Sequence, residues 1–415
     1  MGNVWVNSGE HIALNRKVKK KRLLILAGTH FQIPVIEYAR KAGHYVITCD
    51  NKPENPGHHL SNEYINISTT DLDGVLEVAF HKKIDGILAY GSDPAAPTAA
   101  YVSEKLQLPG NSYKSVFTLS NKGQFRKFLA DNNFHVPKFK VVKSINEINQ
   151  FSGGFKKNIF IKPVDSSGSK GVKRVSPGEN VESAFNYAME FSREGGVIIE
   201  EEINRKGPHI HGEAFVHDGD LKFMLLGDQY FSSVNSCAPL STTLPSLVHN
   251  DIIESVSIML KKIIKLVNFK TGGLNIEVIR DPQDKVYFIE IGARNGGNLM
   301  PELARMTSGF NMAAANVNAA LNEEIDFRFE YPTNMFCSQV ILSSQRNGKY
   351  AGVNIPKVFR DYLKTELIYY SKGEDVHIYR GSQDVVGLLL FSFDNIDVCN
   401  GLIEFINHNN VINLY

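Results

Sequence analysis

The sequence has little cysteine, almost no excess charge and no long hydrophobic run. Its 415 residues include four cysteines and one tryptophan, and 45 Lys and Arg residues nearly balance 44 Asp and Glu, for a formal net charge of +1. Without an overall basic field, neither nucleic acid nor an anionic membrane is expected as a partner. No stretch approaches the ~20 apolar residues of a membrane span. The composition therefore predicts a globular protein of two or three domains.

The few cysteines and the one basic run exclude further classes. Cys49, Cys237, Cys337 and Cys399 lie far apart, with no CxxC pair, so neither a zinc site nor a disulfide framework is predicted. We expect reduced thiols and a cytoplasmic protein. The basic run at residues 17–22 (KVKKKR) precedes a short apolar segment without the cleavage pattern of a signal peptide. We therefore expect residues 1–22 to be a flexible leader.

A dinucleotide fingerprint is also missing from the first part of the chain. From Leu23, apolar segments alternate in a βαβαβα order, which predicts a parallel sheet covered by helices. Gly28 and Asp50 end the first two strands, but THFQIP stands where GxGxxG would be needed, so NAD and FAD are not favoured. Residues 28–31 and 91–93 would face the carboxyl edge of this sheet, where we expect part of an acceptor site.

The most informative stretch is residues 272–297, GGLNIEVIRDPQDKVYFIEIGARNGG. Two strands rich in β-branched and aromatic residues flank the polar turn DPQD, so they predict an antiparallel hairpin. Glu277 and Glu290 would then lie side by side. Two adjacent carboxylates repel each other unless a cation lies between them. Magnesium suits such a pair because it also keeps phosphate oxygens in its shell.

The residues that follow this hairpin fit the same chemistry. Arg294 offers a planar fork to a carboxylate or phosphoryl oxygen, and Gly296 and Gly297 allow main-chain amides to approach an anion closely. The alternative is an ordinary hairpin with exposed acids and a glycine turn. The two glutamates and the arginine together favour acyl or phosphoryl chemistry on ATP.

A glycine- and serine-rich tip provides a second candidate phosphate site. The loop at residues 164–171 (VDSSGSKG) joins two strands, and its amides can cradle phosphates, although such tips often merely turn the chain. Lys162 lies on the preceding apolar strand, where an unpaired charge is costly. A triphosphate is a natural partner for it, and Lys122 on an earlier helix is a second candidate.

A buried-type strand at residues 195–203 (GGVIIEEEI) ends in three acids, and the chain resumes at Glu213 after the insertion NRKGPHIHG. The insertion carries His209 and His211 at alternate positions. A metal site needs more ligands than these two. We therefore expect a substrate-side or structural loop.

The order of these motifs resembles the ATP-grasp superfamily, specifically its carboxylate–amine ligases, over nearly the whole chain. The resemblance implies an α/β protein in which an N-terminal parallel α/β pre-ATP-grasp domain precedes a two-lobed ATP-grasp fold with an α+β central domain. The expected boundaries are 23–112 for the first domain, 113–328 for the ATP-grasp domain with a flap lobe at 113–200 and a catalytic lobe at 201–328, and 329–415 for a C-terminal α+β subdomain.

The resemblance also implies roles for individual residues. Two magnesium ions, or manganese as an alternative, would be held by Glu277 and Glu290. Glu200 or Glu201 would meet the adenine amino group, and Glu213 would accept from the ribose hydroxyls. The implied phosphate contacts are Lys122, Lys162 and the flap residues Ser166, Ser167, Gly168 and Gly171, the implied main-chain adenine contacts are Glu202 and Ile203, and the implied catalytic residues are Arg294, Lys162 and Lys170.

One departure from the family pattern concerns the metal site. Many members carry an asparagine two residues after the second metal glutamate, where this chain has Gly292, so one ligand is missing or replaced by Asn295. The form EIGARNGG is similar to the amino-acid and peptide-forming branch, in which the arginine holds a substrate carboxylate or the acyl phosphate.

The expected function is an ATP-dependent ligase, a homodimer in the family pattern, that joins a small carboxylate, such as an amino acid, to an amine. One alternative is a purine-precursor ligase acting on a ribosyl phosphate amine, and another is a non-ligase protein that binds ATP or transfers phosphate. The absence of Lys and Arg from residues 28–34 and 91–98 disfavours a phosphorylated substrate.

Overall fold

A parallel sheet opens the described chain. The computed structural model describes residues 20–152, 156–232, 237, 239–331 and 333–415, without the side chains of 149–152, so most of the predicted leader lies outside the described residues. The first elements are β1 (Arg22–Leu26), α1 (Ile33–Lys41), β2 (Tyr45–Cys49), β3 (Glu63–Ile65), α2 (Leu72–Lys82), β4 (Gly86–Ala89) and α3 (Ala96–Lys105). The strands pair in parallel in the order β3-β2-β1-β4.

This sheet confirms the predicted βαβαβα pattern and adds β3, which the sequence analysis missed. Leu23 and Ile25 of β1 pack with α1, whereas Leu24 and Leu26 pack with α2 and α3. Both faces of the strand are thus buried, as parallel sheets require. Because helices cover both faces of the sheet, its carboxyl edge is the place where the loops at residues 28–31 and 91–93 can face a ligand.

A small antiparallel sheet follows. Its elements are α4 (Tyr113–Ser120), α5 (Lys122–Asp131), β5 (Phe139–Val142), α6 (Ile145–Ser152), β6 (Ile159–Pro163), β7 (Lys173–Val175), α7 (Val181–Glu190) and β8 (Val197–Glu201), with strand order β5-β8-β6-β7. Ile159 and Ile161 of β6 are buried against α7. Because side chains alternate along a strand, Phe160 and Lys162 point to the opposite face.

The third region builds a large antiparallel sheet. Its elements are β9 (His209–His217), β10 (Asp220–Phe231), β11 (Pro239–Leu244), α8 (Asn250–Val267), β12 (Gly272–Arg280), β13 (Val286–Gly292), α9 (Met300–Ser308) and α10 (Met312–Ala320). The apolar face of α8 is buried against the sheet through Val256, Leu260 and Ile264. This helix therefore serves core packing.

The last part of the chain extends that same sheet. Its elements are β14 (Phe336–Ser343), β15 (Gly348–Val353), α11 (Lys357–Arg360), β16 (Leu363–Ile368), β17 (Asp375–Val376), β18 (Val385–Phe393), α12 (Ile396–His408) and β19 (Ile412–Leu414). The eight strands run β13-β12-β9-β10-β11-β14-β18-β16, and β17-β15-β19 form a separate small sheet. The large sheet therefore crosses the predicted boundary at residue 328, and the domain limits stay a prediction.

No helix in the described ranges is long and apolar enough to cross a membrane.

Candidate functional site

A cavity of about 1240 Å³ lies where the parallel sheet, the small antiparallel sheet and the eight-stranded sheet meet. Residues that follow β1, β2 and β4 line it, so the carboxyl edge of the first sheet faces the cavity as predicted. The predicted site residues on its wall are Lys122, Lys162, Ser166, Ser167, Gly168, Lys170, Glu200, Glu201, Glu202, Ile203, Glu277, Glu290 and Arg294. Gly171, Glu213 and Asn295 are not part of this wall.

Strands β12 and β13 bring the two predicted carboxylates together. Glu277 and Glu290 are direct cross-strand partners, which confirms the predicted hairpin. Burial, and then the charge of Glu290, raises the pKa of Glu277 to about 7, against the opposing charges of Lys122 and Lys162. The Lys122 ammonium lies 3.4 Å from the Glu290 carboxylate. Even with these lysines, the carboxylate pair lacks enough positive charge to keep Glu277 fully ionised at neutral pH.

This carboxylate pair fits a divalent cation that shares its ligands with a substrate. In the described part of the chain, no group of three or more His, Cys, Asp or Glu side chains is placed to hold a metal ion. Magnesium is commonly bound by one or two carboxylates together with substrate phosphates. Two glutamates whose negative charge is not fully balanced by neighbouring cations match that pattern. They do not match a structural metal site in which the protein supplies every ligand.

Glu200 is held by ion pairs, unlike the carboxylate pair. Its carboxylate accepts a hydrogen bond from the Lys162 ammonium at 2.7 Å and contacts the Arg126 guanidinium. Arg126 is buried and donates to the carbonyls of Phe288 and Ile289 on β13, at 3.0 and 2.7 Å. Burial alone would raise the pKa of Glu200, but these two cations lower it to about 2.

The structure therefore separates the three consecutive acids. Both carboxylate oxygens of Glu200 are engaged by Arg126 and Lys162. Glu202 accepts from Arg174 at 2.8 Å and from Asn158 at 2.6 Å, and its own N–H donates to the Asn158 carbonyl. Glu201 has a looser partner in Lys138, at 3.8 Å. Of the three, Glu201 has the least engaged carboxylate.

The predicted flap reaches across the cavity to the C-terminal part of the chain. The Ser166 carbonyl accepts from the Lys122 ammonium at 2.6 Å, and the Gly168 carbonyl accepts from the Ser382 N–H at 3.1 Å. Gly168 has a φ of 63°, and a Cβ there would lie 2.3 Å from the Ser382 hydroxyl oxygen. Only glycine fits this turn and contact. The loop around Ser382 was not predicted, because nothing in its sequence distinguishes it from an ordinary turn.

Two lysines lie near each other on the same wall. Lys170 lines the cavity, and burial followed by the charges of Lys52 and Arg193 lowers its pKa. Lys52 also lines the cavity, although it lies outside both N-terminal loops considered in the sequence analysis. Lys52 thus adds a basic side chain to the part of the cavity where we expect the acceptor site.

Arg294 lies at the acceptor end and contacts Asp93. One terminal nitrogen of its guanidinium meets the Asp93 carboxylate, and the other donates to the Asn295 carbonyl at 2.8 Å. The Arg294 Nε is buried without a protein partner. Burial alone would raise the pKa of Asp93, but the charge of Arg294 outweighs it and lowers that pKa. The sequence analysis placed residues 91–93 at this edge but did not identify Asp93 as the partner of Arg294.

Glu213 and Asn295 lie behind the cavity wall. Glu213 is fully buried, and its carboxylate accepts from Asn275 at 2.9 Å, from the Gly296 N–H at 2.7 Å and from Asn295. The loop after β13 covers Glu213, and its contact with ribose stays a prediction. Asn295 is equally buried, and its side-chain oxygen accepts from Asn316 at 2.6 Å. Asn295 is part of the network that holds the Arg294 loop, and its role as a metal ligand stays a prediction.

The two histidines of the predicted insertion belong to β9. His211 is buried, receives a hydrogen bond from Asn275 at 3.0 Å, and has its pKa lowered to about 4 by burial. His209 packs on Phe231 with ring centroids 4.7 Å apart, and burial, with neighbouring cations, lowers its pKa to about 3. His209 lines the cavity, and its Nδ1 has no partner. Both imidazoles are therefore neutral at pH 7. They add packing surface and hydrogen-bonding groups to this part of the protein, but no charge.

Residues 155–302 match the family model described as ATP-grasp domain. The chain carries an ATP-grasp domain. A formate-dependent phosphoribosylglycinamide formyltransferase from Prochlorococcus marinus is 24% identical over 187 residues, which cover 44% of this chain and 48% of the relative. The chain thus spans about half the length of that curated relative.

Two solved structures share the ATP-grasp fold over almost the whole chain. An L-amino acid ligase from Bacillus licheniformis has a TM-score of 0.78 at 18% identity, covering 95% of this chain and 98% of the other. The biotin carboxylase domain of Hydrogenobacter thermophilus 2-oxoglutarate carboxylase, in complex with MgADP, ADP and bicarbonate, has a TM-score of 0.72 at 16% identity, covering 95% and 90%. These likenesses confirm the predicted fold, including the α/β region that precedes the ATP-grasp domain.

Proposed function

We propose that this protein is an ATP-dependent carboxylate–amine ligase. The observation that carries the proposal is the Glu277–Glu290 pair, which lies short of positive charge in one cavity with Lys122, Lys162 and Arg294. An ordinary exposed hairpin would not place two partly buried carboxylates in one cavity with three cationic side chains. The ATP-grasp domain and the likeness to an amino acid ligase support the same reaction class.

The proposed reaction has two steps. An oxygen of the substrate carboxylate forms a bond to the γ-phosphorus of ATP, and the bond to the β–γ bridging oxygen breaks to release ADP. The nitrogen of an amine then attacks the carbonyl carbon of the acyl phosphate, inorganic phosphate leaves, and the amine loses a proton. Catalysis of both steps rests on positioning and charge neutralisation.

The nucleotide would lie between the flap and the eight-stranded sheet. Lys122, Lys162 and the amides of residues 166–171 would hold the phosphates. Glu201 is our candidate for the adenine amino group because its carboxylate is the least engaged of the three acids. His209 would face the sugar side through its unpartnered Nδ1.

Magnesium would be held by Glu277 and Glu290, with two ions as in the family pattern and manganese as a substitute. When bound, it neutralises phosphate charge and orients the transferred group. Arg294 would hold the substrate carboxylate, because its side chain lines the cavity. Lys162 and Lys170 would offset the charge that develops on the phosphoryl oxygens.

The test is magnesium-dependent release of ADP and phosphate with a panel of carboxylates, each with and without amines. Release that requires both an acid and an amine is the expected result. Release with the acid alone would show a phosphotransferase, and tight ATP binding without release from any combination would contradict the ligase assignment. The Glu290→Gln variant is the control for turnover that does not depend on the carboxylate pair.

A purine-precursor ligase is the second candidate, and Lys52 is the observation that favours it. Lys52 and Lys170 supply the basic charge that residues 28–34 and 91–98 lack, and the Prochlorococcus marinus relative is named for a phosphoribosyl substrate. A ribosyl phosphate amine in the same panel separates the two candidates. We also propose a homodimer that acts in the cytoplasm on small molecules, which light scattering and fractionation would test.

A further inference from the structure

The ion pair between Asp93 and Arg294 closes the acceptor end of the cavity. Asp93 comes from the loop after β4 and Arg294 from the loop after β13, so two separate sheets contribute the pair. Both residues line the cavity, and their side chains remain 22% and 9% exposed, respectively. A substrate that enters this end therefore meets a carboxylate and a guanidinium together.

The charges of this pair discriminate between substrates. Because Asp93 cancels the charge of Arg294, a dianionic phosphate gains little net attraction there. A carboxylate that also carries an ammonium group satisfies both members, since its carboxylate can accept from Arg294 while its ammonium donates to Asp93. Arg294 is placed for this contact, because its side chain lines the cavity beside Asp93.

Asp93 is held in place from the nucleotide side. The Ser167 side chain of the flap and the positive charge of Lys122 both lower the pKa of Asp93. Arg294 and these neighbours hold the pKa of Asp93 below its usual range, so the carboxylate stays ionised and is a poor proton acceptor. The side chain is thus suited to binding a cationic group and not to general-base catalysis.

We infer that Asp93 binds the ammonium group of an amino acid whose carboxylate, held by Arg294, is the one that ATP phosphorylates. This inference rests on the proposed ligase function and names the class of its acid substrate. An ammonium bound to Asp93 keeps its proton and is not a nucleophile, so the amide forms with the amine of the second substrate.

The experiment uses matched pairs of acids that differ only in the amino group: alanine with propionate, glutamate with glutarate, and phenylalanine with 3-phenylpropionate. ADP release is measured with each acid, and calorimetric titration in the presence of MgADP measures binding without turnover. A site built to bind an N–H group rejects the analogue that lacks it, so we expect a preference of at least about 100-fold in kcat/KM for an amino acid.

The variants test whether Asp93 sets this preference. Asp93→Asn should reduce the amino acid preference at least about tenfold, with the loss in KM and with the des-amino acids little affected. Asp50→Asn is the matched control, because Asp50 directly follows strand β2 of the same parallel sheet and lines the same cavity, but its carboxylate accepts a hydrogen bond from Asn55 at 2.7 Å. Its preference should equal that of the wild type, whatever its overall rate.

The outcomes separate this inference from the ligase proposal. ADP release that is equal for amino and des-amino acids, or an unchanged preference in Asp93→Asn, would overturn the role of Asp93 and leave the ligase standing. Ammonium-dependent binding without ADP release would support the subsite and overturn the ligase. Neither binding nor release with any pair would contradict both.

Discussion

Glu200 is buried and Glu277 is partly buried on the wall of one cavity, and their pKa values shift in opposite directions. The pKa of Glu200 is lowered to about 2, whereas that of Glu277 is raised to about 7. Glu200 has its cations built into the protein, in Arg126 and Lys162. Glu277 faces Glu290 and lacks sufficient compensation. The difference separates a carboxylate that holds the fold from one that is left to bind a cation from outside.

The strongest way to test this contrast is to remove one carboxylate of the pair. Glu290→Gln should lower kcat at least about 10³-fold, because the magnesium site and the neutralisation of phosphate charge are lost together. Thermal unfolding should stay close to that of the wild type, since the loss of the Glu290 contact with Lys122 is offset by removal of the like charge beside Glu277. Steady-state ADP release and calorimetry measure the two effects. Full activity in this variant would contradict the assignment of Glu290 as a magnesium ligand.

Glu200 should behave in the opposite way. Glu200→Gln leaves the Arg126 guanidinium buried without its counter-charge, and breaking a buried ion pair costs about 3–5 kcal/mol. Urea unfolding at pH 7.5 measures the loss. Glu277→Gln is the matched control and should be as stable as the wild type or more so. Equal losses in the two variants would contradict the distinction drawn between these glutamates.

The pH dependence of metal binding sharpens the same comparison. Since folding raises the pKa of Glu277 from 4.5 to about 7, its stabilising contribution is present below about pH 4.5 and is lost as the pH rises towards 7. Protons compete with magnesium in this range, so we expect affinity to fall up to about tenfold per pH unit below 7. Titrations of magnesium in the presence of ADP from pH 6 to 8 would show it. A flat profile would argue against Glu277 as a ligand.

The smallest effect is expected at the neighbouring acid Glu202. Its pair with Arg174 lies at the surface, with side-chain exposures of 25% and 39%, and exposed ion pairs contribute about 0–1 kcal/mol. Arg174→Ala should therefore change the free energy of unfolding by no more than that amount. Denaturant unfolding of Arg174→Ala and Glu200→Gln under the same conditions provides the comparison. If Arg174→Ala lost as much free energy of unfolding as Glu200→Gln, burial would not determine how much each ion pair contributes to stability.

Local patterns predicted the fold and the cross-strand pairing of the two glutamates. The strands on either side of DPQD fixed the cross-strand position of Glu277 and Glu290, because hairpin register follows from the turn. The βαβαβα order likewise identified the parallel sheet. The short strand β3 was missed because three residues carry too little periodicity to be recognised.

Long-range contacts were the part that sequence could not supply. Glu213 follows the strand of residues 195–203 and the insertion in the order that the family resemblance implies, but the loop after β13 buries it, and that loop lies more than eighty residues away in sequence. The contacts of Arg126 and Asp93 are also long-range. Arg126 pairs with Glu200 on β8, and Asp93 pairs with Arg294 after β13. An arginine beside apolar helix residues was the available signal for Arg126, since an unpaired charge is costly there.

The eight-stranded sheet has a consequence for how the chain can be cut. Strand β14 pairs with β11 through contacts such as Thr243 with Ser338, so the sheet continues across the junction that motif spacing suggests near residue 328. A chain shortened at that point would leave β11 as an open edge, with unpaired amides and carbonyls on a row of buried side chains. Exposed edges of this kind recruit other strands, so such a fragment would aggregate even though it retains every residue assigned to the nucleotide and the metal.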